Sequence, residues 1–158
     1  MKQNDRDFNH QYLAKVELPD QVLGNTDNFT NYDPARIQHF DIVTGGVHLY
    51  MNEIDRIQAM KEFKSTIEAF QIEVERGVLP EVQAYSKVEY DPDYKQLRFY
   101  VDRILFEQDV TANMIERSIV EDCIRYQVYS GLNIGVEVSY IDAKTNERFA
   151  HKEYPDII

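Results

Sequence analysis

A chain of 158 residues with 17 Lys and Arg against 28 Asp and Glu carries a formal charge of −11. That sign disfavours nucleic-acid phosphates and anionic membrane surfaces, both of which are met by clustered Lys and Arg. Apolar runs such as Ile104-Leu105-Phe106 fall far short of the ~20 residues of a spanning helix. The polar opening MKQNDRDFNH lacks the apolar stretch of a secretion signal. Cys123 is the only cysteine, so no internal disulfide can form. Together these features predict a cytoplasmic location. The length suits a single domain over 1–158, since domains cluster near ~100–150 residues. The acidic excess is 3, 3 and 5 in residues 1–50, 51–100 and 101–158, so it is spread along the chain rather than focused.

Residues 1–11 are polar and predict a flexible arm. Tyr12, Ala14, Val16 and Leu18 alternate with polar neighbours, which predicts a strand ended by Pro19-Asp20. Residues 24–34 are dense in Gly, Asn, Asp and Thr and predict a loop. Ile37 to Met51 predicts a hairpin turning at Gly45-Gly46, with Val43 opposite His48. One side then carries Phe40, Ile42, Leu49 and Met51 as core. The other carries His39, Asp41, His48 and Tyr50.

Asn52 to Arg76 predicts a long helix, with Ile54, Ile57, Met60, Phe63, Ile67, Phe70 and Val74 in one apolar stripe. Gly77 can end it in the left-handed region, and Pro80 blocks its continuation. Residues 84–90 and 96–106 predict a second hairpin, turned at Asp91-Pro92-Asp93. A second helix over Thr111–Ser130 faces inward through Ala112, Ile115, Ile119, Cys123 and Tyr126, with Gly131 as its cap. Ile134, Val136, Val138 and Tyr140 alternate as a strand. The Asp142–Asn146 turn then leads to a last strand over Glu147–Glu153. Hairpin–helix recurs twice. The expected fold class is α+β: a two-layer sandwich, mainly antiparallel sheet built from hairpins, with two amphipathic helices on one face. No βαβ series is expected.

No motif has the spacing of a known catalytic or cofactor site, so no cofactor and no catalytic residue is assigned, and the balance leans away from an enzyme. His39, Asp41 and His48 share the outward side of the first hairpin and are the candidate metal ligands. Cys123 sits on the apolar stripe of its helix, with Glu121 and Asp122 before it. Burial and carboxylates both suppress a thiolate, which predicts an inert thiol. Glu116, Glu121 and Asp122 lie near Arg117 and Arg125 at helical spacing and predict surface ion pairs.

Tyrosine is abundant, 11 residues with no tryptophan, and tyrosine favours interfaces. Alternation puts Tyr85, Glu89, Tyr100 and Asp102 outward on the second hairpin, and Glu137 and Glu147 outward on the third. These six residues form the expected interaction face. The leading functional expectation is a non-enzymatic protein-interaction module of inhibitor, immunity, adaptor or chaperone type. Its partner is a protein, favourably a basic one, with no direct nucleic acid and no membrane. The same face could also close a homodimer. Two rivals are a small-ligand or metal-binding module and a structural component of a larger assembly.

Overall fold

The computed structural model describes residues 13–23 and 35–155. The expected arm over 1–11 and loop over 24–34 lie outside the described residues. The chain is a mixed α and β protein with two sheets, mostly antiparallel. It divides into two compact units. No helix among the described residues is long and apolar enough to cross a membrane.

The first unit takes in residues 1–62 and 128–133. Its sheet has three strands: β1 (Ala14–Pro19), β2 (His39–Val43) and β3 (Gly46–Met51), in the order β1-β3-β2. A single helical turn, α1 (Asp20–Leu23), follows β1. The β2–β3 turn falls on Thr44-Gly45, not on Gly45-Gly46. Val43 therefore pairs with Gly46, and Asp41 with His48. Gly45 supplies the turn's positive φ of 89°. Gly46 must stay a glycine for another reason: a Cβ there would stand 2.0 Å from the Leu18 carbonyl oxygen on β1. The shift from the expected register is two residues, and an even shift keeps every side chain on its face. Val16, Leu18, Val47, Leu49 and Met51 are accordingly buried together. Ile42 is the exception, exposed near the hairpin tip.

Helix α2 (Glu53–Arg76) belongs in part to each unit, the division falling after Glu62. Gly77, with φ of 64°, ends it, and its amide donates to the Glu73 carbonyl. Ile67 and Val74 are buried as the stripe predicts. The stripe fails in the first turns, where Ile54 is 81% exposed and Ile57 41%. There Ala59 is buried instead, and Arg56 lies inward enough to donate to the Tyr129 carbonyl. The phase set by Phe63, Ile67, Phe70 and Val74 does not extend to the helix start.

The second unit takes in residues 63–127 and 134–158. Its sheet runs β4-β5-β6-β7, made of β4 (Tyr85–Tyr90), β5 (Gln96–Val101), β6 (Val136–Asp142) and β7 (Arg148–Tyr154). The β4–β5 and β6–β7 pairs are antiparallel, but β5 and β6 run parallel. The expected strand over 96–106 stops at Val101. Asp102 then caps a short helix, α3 (Arg103–Gln108), by accepting the Leu105 amide. Aspartate is a strong N-cap, and that capping bond outcompetes strand extension. Helix α4 (Ala112–Ser130) completes the crossover to β6. One β-helix-β connection thus sits in a sheet otherwise made of hairpins.

The inward face of this sheet is aromatic. Phe70 of α2 meets Tyr85 and Phe99 edge-on, with ring centroids 5.7 and 6.2 Å away. Phe99 stacks on Tyr140 at 5.2 Å, and Tyr140 meets Phe106 of α3 at 4.4 Å. Gln127 of α4 is fully buried. Its amide nitrogen donates to the carbonyls of Asp93, Tyr94 and Gly135, and its oxygen accepts the Gly135 amide. One side chain so ties α4 to the β4–β5 turn and to the entry of β6.

Candidate functional site

Period-two alternation places Leu97, Phe99 and Val101 inward on β5, all with no exposed surface. Gln96, Arg98 and Tyr100 must then face the other way. Register carries that outward face across the sheet. Lys87 pairs with Tyr100 and Glu89 with Arg98 on β4. Gln96 pairs with Glu137 and Arg98 with Ser139 on β6. Glu137 pairs with Glu153 and Ser139 with His151 on β7.

Glu89 is the hub of the β4–β5 side. It accepts the Tyr100 hydroxyl at 2.8 Å and lies 3.0 Å from Lys87 and 3.4 Å from Arg98. Hydrogen bonds from Lys87 and Tyr100 hold its carboxyl below the ordinary glutamate value. The same bond to Glu89 raises the Tyr100 phenol. Lys87 also stands over the Tyr100 ring, 5.1 Å from its centroid. The ring is therefore held from two sides while it stays partly exposed.

Glu137 is the hub of the β6–β7 side. Its Oε1 lies 3.1 Å from His151 Nε2 and 3.5 Å from Arg148. Glu153 Oε1 lies 4.0 Å from the same imidazole nitrogen. Glu137, His151 and Glu153 bring one donor atom each within 4.8 Å of one another. They are the set among the described residues that could share a metal ion.

Of the six residues expected on the interaction face, the structure brings together Glu89, Tyr100 and Glu137. Tyr85 is not with them; it is 4% exposed, among Phe70, Phe99 and Phe106. A β-bulge between Tyr85 and Lys87 is the cause. Ser86 and Lys87 both face out, so Tyr85 turns inward. Asp102 is committed to capping α3, with Lys144 at 3.9 Å. Glu147 is exposed in the β6–β7 turn rather than within the strand.

His39, Asp41 and His48 do share one face of the three-stranded sheet. The arrangement is a pair with a neighbour rather than a ligand trio. His39 is buried, bonded to Asp41 at 2.9 Å and packed on Tyr50 at 5.7 Å. His48 instead lies 4.0 Å from Glu17 on β1. Cys123 is fully buried, and burial with Asp122 and Asp91 nearby pushes its thiol up to about 12.

Glu116 departs from the surface ion pair that its spacing predicts: it is only 2% exposed. It accepts the hydroxyls of Tyr140, at 2.7 Å, and of Tyr154, and pairs with Lys152 at 3.1 Å. Glu121 and Asp122 do pair with Arg125 at the helix surface. Spacing held the signal for Glu116: Ala112, Glu116, Ile119 and Cys123 follow one another at four, three and four. His151 was also legible in part, since His151 and Glu153 alternate on one strand face. Their meeting with Glu137 depends on a register that spacing alone does not carry. No family model, curated protein or solved structure matches the chain.

Proposed function

We propose that the chain is a protein-interaction module that docks its partner on the outward face of β4-β5-β6-β7, with Tyr100 as the central anchor. One observation carries this reading: Tyr100 is partly exposed yet already fixed, by Glu89 at its hydroxyl and Lys87 at its ring. An aromatic side chain that is ordered before binding loses little rotamer freedom on docking. Around it, Arg98, Glu137 and Arg148 supply charges of both signs that can specify one partner.

In this reading the second unit is a two-layer arrangement. Its aromatic face meets α2, α3 and α4 through Phe70, Phe106 and Glu116, and its polar face is left for the partner. Glu89 and Glu137 are both balanced by nearby cations, so the face is of mixed sign. Long-range steering of a basic partner then comes from the net charge of −11, not from a local acidic patch. The test is capture of the partner with wild-type chain, then affinity measurement with Tyr100→Ala. The dissociation constant should rise at least ~10-fold. Association should also slow as salt is added.

A further inference from the structure

We propose that Glu137, His151 and Glu153 form a binding site for one first-row divalent ion of the zinc or cobalt type, clipping β6 to β7. The first ground is donor geometry. Three donor atoms, one imidazole nitrogen and two carboxylate oxygens, lie within 4.8 Å of one another. His151 and Glu153 are two apart on β7 and so project from the same face, and Glu137 is the register partner of Glu153. All three stand on paired strands, which hold ligands more rigidly than a loop does.

The second ground is electrostatic. Glu137 and Glu153 are directly opposed across an antiparallel pair. Like charges in that position repel. The nearby cationic groups are Arg148, 3.5 Å from Glu137, and His151 when it carries a proton. A divalent cation between the two carboxylates turns that repulsion into coordination. It also takes the neutral imidazole as a third ligand.

Donor type narrows the ion. Imidazole with carboxylate suits zinc and its first-row neighbours, whereas calcium and magnesium prefer all-oxygen sets. Three protein ligands leave at least one position for water, as in open zinc sites. The half-exposed setting of Glu137 and His151 gives that water access. Arg148 must release Glu137 as the ion enters. Glu137 and Arg148 also lie on the proposed docking face, but the docking reading is anchored on Tyr100 and Glu89, so ion binding and partner binding can fail separately.

The experiment is a calorimetric titration of the full chain with Zn²⁺ and with Co²⁺, paired with NMR of the histidine ring protons. The expected result is one equivalent bound per chain, with Zn²⁺ displacing Co²⁺ and the His151 resonances moving first. His151→Gln and Glu153→Gln should each weaken binding at least ~10-fold, since even residues that only orient ligands lose that much. His39→Gln should bind as wild type does. Zn²⁺ should raise the melting temperature of the wild type but not of His151→Gln. Binding that fails to saturate at millimolar ion would overturn the proposal. So would unchanged affinity in folded His151→Gln, or ring shifts confined to His39 and His48.

Discussion

Tyr85 and Tyr100 lie on opposite faces of the four-stranded sheet. Tyr85 pairs with Val101, whereas Lys87, two residues on, pairs with Tyr100. The bulge at that point gives the two tyrosines separate tasks, one in the core and one on the surface. Tyr85→Ala empties an aromatic site and should cost about 3–5 kcal/mol of stability. Tyr100→Ala should cost under about 1 kcal/mol, in line with surface substitutions. Urea unfolding of both variants checks this. Tyr85→Phe is a sharper probe. The Tyr85 hydroxyl is buried with no hydrogen-bond partner among the described residues. Removing it should leave stability unchanged or slightly higher, because an unpaired buried hydroxyl is a cost.

Helix α2 turns its two halves differently. Phe70 meets two core rings, so Phe70→Ala should lose about 3 kcal/mol, the low end for an aromatic that is not fully enclosed. Ile57 is 41% exposed. Ile57→Ala should lose under about 1 kcal/mol. Equal losses at the two positions, measured by denaturant unfolding, would contradict the helix phase described.

Glu116 anchors β7 from α4. Glu116→Ala leaves the Tyr140 and Tyr154 hydroxyls and the Lys152 ammonium without their shared acceptor. Lys152 is 46% exposed and can turn to water, so the loss comes chiefly from the stranded Tyr140 hydroxyl, about 1–3 kcal/mol. Glu116→Gln keeps an acceptor oxygen and should lose less. Hydrogen exchange should show β7 amides losing protection before those of β5.

Alkaline pH should expose the buried thiol. The folded value for Cys123 is raised to about 12 from an ordinary 9.0, chiefly by burial. For a group raised in the folded state, the stabilising share is complete below the unfolded value and is lost as pH climbs toward the folded one. Stability should therefore fall between about pH 9 and 12 more steeply in wild type than in Cys123→Ala. At neutral pH the native thiol should resist thiol reagents until the chain opens. A fast reaction at pH 7 would contradict its burial.

Alternation and helical spacing made much of this architecture legible. Leu97, Phe99 and Val101 declared the inward face of β5, and Gly77 and Gly131 marked helix ends. What escaped was set by pairing irregularities, by a local competition between strand and helix cap, and by register between distant segments. The bulge before Lys87 flips Tyr85 without changing any local propensity. Asp102 fits a strand by alternation but wins more as an N-cap. The parallel β5–β6 pairing follows from where α3 and α4 return the chain. The candidate site was legible to the same degree. Glu89 and Tyr100 are neighbours by hairpin register, while the trio of Glu137, His151 and Glu153 needs the register of β6 on β7.

The most direct test of the docking claim is the dissociation constant of the captured partner for wild-type chain and for folded Tyr100→Ala, measured side by side at low salt. A rise of at least ~10-fold, about 1.4 kcal/mol, is the predicted result. Equal dissociation constants would contradict it, and would show that the partner does not dock on the Tyr100 face.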